Sequence, residues 1–143
     1  MEHRIFVYGT LLRGESNHRL LAGAELLGGH RTAPCFALYD LGAYPGLTRG
    51  GRTAVLGEVY RVSAADLCRL DRLEDYPWLY TRESIPSPWG AVWVYCYRGR
   101  IRNRPLIPSG DWRSLTRDAR SAARAAAIRQ SRDPKTRILW SER

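Results

Sequence analysis

Apolar residues fall in short, dense runs along this chain, separated by breaks rich in glycine and proline. Residues 5–8 (IFVY) are uninterrupted and β-prone, and Gly9-Thr10 closes them. So dense a run predicts a central strand buried on both faces. Residues 31–38 predict a second strand, and Tyr44-Pro45-Gly46 and Arg49-Gly50-Gly51-Arg52 predict turns. Residues 54–62 (AVLGEVYRV) predict a strand whose interior Gly57 signals a bulge or a close backbone approach. Residues 81–85 and 91–97 (AVWVYCY) predict two more strands around a Ser-Pro-Trp-Gly turn.

Helical patterning is rarer. Ser16 predicts the cap of a short helix through Leu21, ended by Gly23. The stronger signal is SAADLCRLDRLEDYP, with Ser63 as N-cap, Asp66 three residues on and Pro77 as the stop. Residues 115–129 are rich in alanine and arginine and predict a helix with little apolar surface to bury. Strands in runs with few helices between them predict an α+β class with a largely antiparallel or mixed sheet.

Length and composition change this picture little. The 143 residues suit one domain, and no apolar run approaches the roughly 20 residues that span a bilayer. The first eight residues show no secretory pattern, so the expected location is cytoplasmic. Cys35, Cys68 and Cys96 are odd in number and widely spaced, which argues against a disulfide framework or a zinc ribbon and for small buried hydrophobes. The net charge of +9 is localised. Residues 1–97 balance ten basic against ten acidic side chains, whereas residues 98–143 hold thirteen basic and four acidic. The chain is expected to divide into a domain over 1–113 and a basic, helix-prone extension over 114–143. A solvated tail is the main reading, and a nucleic-acid partner the lesser one.

One carboxylate stands out. At 100° per residue, Glu74 falls within roughly 60° of Leu67 and Leu70, on the apolar stripe of the helix over 63–76. A buried carboxylate is costly unless paired or protonated. Glu74 can pair with an arginine such as Arg82, sit at a frayed helix end, reach water, or act as a general base whose affinity for protons is raised by desolvation. Glu58, in mid-strand, is a weaker rival base. Asp71, on the same helix, can cap, pair or hold a cation. Gly9 permits a positive φ, which would let successive N–H groups of the loop face one anion.

Taken together, these pieces resemble the γ-glutamylcyclotransferase-like family, in the γ-glutamylamine cyclotransferase and AIG2-like branch. The resemblance is carried by Phe6-Val7-Tyr8-Gly9-Thr10-Leu11 with Gly14, Asn17 and His18, by Tyr44-Pro45-Gly46, and by Val55-Leu56-Gly57-Glu58-Val59-Tyr60. Leu70-Asp71-Arg72-Leu73-Glu74 with Tyr80 and Arg82, residues 91–95, and Ile107-Pro108-Ser109-Gly110-Asp111-Trp112 complete it, over about residues 4–112. The resemblance implies a small mixed β-barrel flanked by helices around one cavity. It also implies intramolecular aminolysis, in which the α-amine of an L-γ-glutamyl group attacks its own γ-carbonyl, closes 5-oxoproline and expels an amine. On that reading Tyr8, Gly9, Thr10 and Leu11 hold the substrate's α-carboxylate, Glu74 is the base and acid, and Tyr80 contacts or orients the substrate. Tyr44, Trp78, Trp89 and Trp112 are candidates for the leaving-group side. The small γ-glutamyl substrate is the expected partner, and neither a metal nor an organic cofactor is implied. A non-catalytic small-molecule or protein-binding module on the same scaffold is the alternative.

Overall fold

A computed structural model describes residues 2–115 of the chain. The expected helix over 115–129 and the bulk of the basic extension lie outside the described residues. Among the described residues seven strands are formed: β1 (Glu2–Val7), β2 (Glu25–Arg31), β3 (Phe36–Asp40), β4 (Pro45–Arg49), β5 (Leu56–Ser63), β6 (Tyr80–Ile85) and β7 (Val92–Tyr97). One α-helix, α1 (Ala64–Leu73), joins β5 to β6, and short 3-10 turns cover His18–Leu21 and Trp112–Ser114.

The dense first run is the middle of the main sheet, whose order is β2-β5-β1-β7-β6. β1 lies antiparallel to β5 and parallel to β7, so the sheet is mixed and the class is α+β. Ile5, Phe6 and Val7 are all buried, as a strand covered on both faces requires. The expected barrel is not closed. β3 and β4 form their own two-stranded sheet, which leans on β7 where Gly46 meets the Tyr97 ring, without joining the ladder.

Several local expectations shift. β2 carries Gly28 and Gly29, which dilute its β signal, and the strand expected over 31–38 is interrupted at 32–35, with Arg31 ending β2 and residues 36–38 opening β3. Pro34, lacking an N–H, marks that break. Asn17, not Ser16, precedes the first 3-10 turn, and its side chain makes no cap bond. Pro45 and Gly46 begin β4 rather than ending in a turn. Cys35 and Cys68 are exposed, and Cys96 alone of the three is buried, so small size did not draw the other two inside.

Gly57 answers to close approach. A Cβ there would lie 2.1 Å from the Val7 carbonyl oxygen and 2.6 Å from the Phe6 ring, so the side of β5 that faces the end of β1 has no room for a side chain. The register irregularity between β2 and β5 falls on β2, between Leu26 and Gly28.

α1 begins as its sequence dictates. The Ser63 hydroxyl accepts from the Asp66 N–H at 3.0 Å, and the Asp66 carboxylate accepts from the Ser63 N–H at 3.1 Å. Such a box contributes about 1 kcal/mol to a helix start. The helix stops earlier than Pro77 suggests. Glu74 occupies the C-cap, its N–H still bonded to the Leu70 carbonyl at 2.9 Å, and Asp75 turns the chain away with φ of 52°. Leu67, Leu70 and Glu74 are buried together, as the helical spacing predicts.

Candidate functional site

The end of β1 opens onto a pocket lined by residues 6–11, Tyr44, Pro45, Glu74, Tyr80 and Tyr95. The six residues expected as base and substrate contacts, namely Tyr8, Gly9, Thr10, Leu11, Glu74 and Tyr80, line this one cavity. They arrive from three elements: the loop after β1, the C-cap of α1 and the first position of β6.

The loop after β1 is held from behind. The Gly9 carbonyl accepts from the Leu12 N–H at 3.0 Å, and the Thr10 carbonyl from the Asn17 N–H at 2.8 Å. Nδ1 of His18 lies 3.0 Å from the Leu11 carbonyl. A carbonyl only accepts, so that nitrogen carries the proton. The Asn17 amide also donates to the Thr10 hydroxyl at 3.0 Å. Three successive carbonyls are thus used inside the loop while the backbone that carries them lines the cavity. Asn17 and His18 enter the sequence reading only as parts of the family resemblance, and no anchoring role is legible in them. Their partners are carbonyls, which every residue has.

Gly9 is required by space. Its φ is not in the left-handed region, contrary to the expectation; a Cβ would lie 2.5 Å from Cγ and 2.6 Å from Cδ of Pro45. The glycine lets β4 and the loop close on each other across the pocket.

Glu74 is 6% exposed, and Arg82, one candidate partner for it, binds Asp71. Nε and an Nη of Arg82 donate to the two oxygens of Asp71 at 2.8 and 3.2 Å. The guanidinium stacks over the rings of Tyr76 and Trp93, at 4.7 and 4.6 Å from their centroids. Asp71 also accepts from the Tyr95 hydroxyl at 2.6 Å. Burial, the bond to Asp71 and the charges of Asp71 and Glu74 all push the Tyr95 phenol well above its ordinary value, so it stays protonated. The Tyr80 hydroxyl donates to the Pro45 carbonyl at 2.8 Å, and its ring faces Tyr44 at 6.1 Å and Tyr97 at 5.3 Å. Of the four aromatic candidates for the leaving-group side, only Tyr44 lines the cavity. Trp78 is 71% exposed, Trp89 packs over Gly28, and Trp112 is buried with its indole N–H on Glu15 at 3.1 Å. Tyr95 escapes a reading of the sequence as a lining residue, because it looks like one more apolar position of β7.

Glu58, the rival base, lines no part of this pocket. Its carboxylate accepts from the Arg13 N–H at 2.9 Å and the Tyr60 hydroxyl at 3.0 Å, with Arg113 at 3.5 Å. It therefore ties the loop after β1 to β5. Burial by itself raises its carboxyl, but the Arg13 and Tyr60 hydrogen bonds and the Arg113 and Arg13 charges outweigh that and hold it below the usual carboxylate value. The unfolded chain then binds this proton at a higher pH than the folded one. The stabilisation is complete above the ordinary carboxylate range and drains away as pH falls through the lower folded value. Glu58→Gln should accordingly be less stable than the parent at pH 7, with the gap narrowing toward pH 3 in urea unfolding. A gap independent of pH would show that charge is not the source.

A cavity lined by a buried carboxylate and by the loop after β1 has the make-up of a small-molecule site at the end of a mixed sheet. The family described as "Gamma-glutamyl cyclotransferase, AIG2-like" matches residues 5–114, and the chain belongs to it. A Vibrio cholerae protein named "Putative gamma-glutamylcyclotransferase" is 53% identical over 112 residues, covering 78% of this chain and 96% of that protein. The Escherichia coli protein ytfP, solved in solution, superposes with a TM-score of 0.65 at 42% identity, covering 80% of this chain and 98% of that one. A mouse AIG2-like protein, solved by crystallography, gives 0.66 at 30% identity, covering 77% and 88%.

Proposed function

We propose that this chain releases 5-oxoproline from small L-γ-glutamyl amines or γ-glutamyl amino acids by intramolecular aminolysis, with Glu74 moving the proton. The observation that carries this reading is the placement of a buried Glu74 and the backbone of residues 9–11 on one pocket.

The substrate's α-ammonium must lose a proton before it can attack. A carboxylate short of water takes up that proton readily. The freed amine attacks the γ-carbonyl carbon, a C–N bond forms, and the carbonyl oxygen becomes an oxyanion for which backbone N–H groups near Gly9 are the candidate donors. Collapse breaks the bond to the departing amine; Glu74 hands that nitrogen the proton it took and then relays the second proton shed by the attacking nitrogen, so 5-oxoproline keeps one amide N–H and the amine leaves as an ammonium. Atoms and charge balance with no co-reactant. Because both partners belong to one molecule, the pocket's main task is to fold the glutamyl chain so that its ends meet. The backbone of the loop after β1 is the candidate holder of the α-carboxylate, and Tyr44 and Tyr80 supply an aromatic wall.

The test is a panel of γ-glutamyl amino acids, γ-glutamyl-ε-lysine, simple γ-glutamylamines and glutathione, assayed for 5-oxoproline by mass spectrometry. Release from at least one class, dependent on Glu74, is the expected result. Ligand binding with no 5-oxoproline from any compound would favour a binding module on the same scaffold.

A further inference from the structure

The segment over residues 107–113 lines no part of the pocket, yet it reaches the loop that does. It is first fixed to the two sheets. The Ile107 N–H donates to the Leu38 carbonyl of β3 at 2.7 Å, and the Gly110 carbonyl accepts from the Leu56 N–H of β5 at 2.8 Å. Gly110, with φ of 71°, approaches so closely that a Cβ would lie 2.0 Å from the Ala54 carbonyl oxygen. The Asp111 carboxylate accepts from the Arg113 N–H at 3.0 Å and starts the turn that carries Trp112 and Arg113. The indole N–H of Trp112, a residue 2% exposed, donates to the Glu15 carboxylate at 3.1 Å. The Arg113 guanidinium donates to the Arg13 carbonyl and lies 3.5 Å from the Glu58 carboxylate. Glu58 in turn accepts from the Arg13 N–H at 2.9 Å, so residue 13 is gripped at both of its backbone polar groups.

We propose that Trp112 and Arg113 are positioning residues for the pocket: they clamp residues 13–15 from behind and so hold residues 8–11 in the place that receives the substrate. The assignment rests on reading that pocket as the substrate site. The loop's own bonds, from the Leu12 N–H to Gly9 and from the Asn17 N–H to Thr10, lie within one short stretch and set its local shape. Where that shape stands relative to Glu74 and Tyr80 depends on ties to other elements. The clamp supplies such ties, to β5 through Glu58 and to a segment that β3 and β5 hold. Its bonds include charged groups, which make the stronger hydrogen bonds in proteins. A loop that is in its competent position for only part of the time lowers the apparent affinity by that fraction, while a saturating ligand restores the competent state.

Two measurements on the full chain separate this role from bulk stability. The first needs no ligand and follows backbone hydrogen exchange by NMR. Arg113→Ala should speed exchange at the Leu12, Glu15 and Asn17 N–H groups at least about ten-fold, and by a larger factor than at the amides of β1 and β7, whereas a global loss of stability would move the slow sheet amides as much. The second is steady-state kinetics with the best substrate of the panel. Arg113→Ala should raise KM at least about five-fold and leave kcat within about two-fold of the parent, the split expected when ground-state binding is lost. Fewer folded molecules would instead lower kcat and leave KM alone. Trp112→Phe keeps a ring and removes the N–H; it should move both readings the same way by a smaller factor, and it serves if Arg113→Ala fails to fold. Arg113→Lys, which retains a cationic donor, should recover part of both. Loop amides that exchange as in the parent in both Arg113→Ala and Trp112→Phe would overturn the proposal, as would an unmoved KM in both or a kcat that falls alone. Exchange does not depend on the reaction: a parent chain that releases no 5-oxoproline sinks the aminolysis reading, and the loop amides still decide the clamp.

Discussion

Glu74→Gln should leave a folded protein that releases 5-oxoproline about a thousand-fold more slowly or not at all. Glutamine has nearly the same shape and fits the same buried C-cap, but it neither takes the ammonium's proton nor returns one to the departing amine. Proton transfer by a positioned side chain is worth roughly 10²–10⁴ in rate, and here one group is asked to serve both transfers. The check has two parts. Mass spectrometry follows 5-oxoproline from the best substrate of the panel, and thermal unfolding confirms that the midpoint stays near that of the parent. Near-normal turnover in a folded variant would remove Glu74 from the reaction.

Gly9→Ala is the second large effect, and it acts through space. The new methyl would stand 2.5 Å from Cγ of Pro45, well inside van der Waals contact. Either the loop after β1 or the start of β4 must move, and both line the pocket. Overpacking of this kind costs about 1–3 kcal/mol. A shift of about 1 Å in a group that positions the substrate can cost roughly 10² in rate. Urea unfolding and 5-oxoproline release should therefore fall together. Gly23→Ala is the matched control, because nothing lies within 4 Å of a Cβ built there. It should change neither measurement by much. Equal behaviour of the two variants would mean that Pro45 yields freely and that the tight contact does not shape the site.

Much of the frame is legible in the order of residues. The unbroken run over 5–8 announces a central strand, and β1 is flanked on both sides. Ser63 and Asp66 announce the start of α1, since their side chains satisfy nearby backbone groups whatever packs around them. Helical spacing puts Glu74 on the face of Leu67 and Leu70. β2 escapes because its pattern is diluted by glycines whose value appears only against a partner, such as Trp89 over Gly28.

Local chemistry, then, is what the chain states by itself: which runs are buried, where a helix begins, and that one acid lies on an apolar face. Tertiary structure alone decided who meets whom. It gave Arg82 to Asp71 and left Glu74 on the cavity, eleven residues of separation in one case and eight in the other being equally compatible with the sequence. It turned Glu58 into an anchor for the loop after β1, forty-five residues away in the chain. It also seated Gly9 against Pro45 and committed three tyrosine protons to acceptors within the protein. Side-chain periodicity reports the face of an element, while hydrogen bonds between distant elements depend on how those faces are brought together, and that is set by packing the whole sheet.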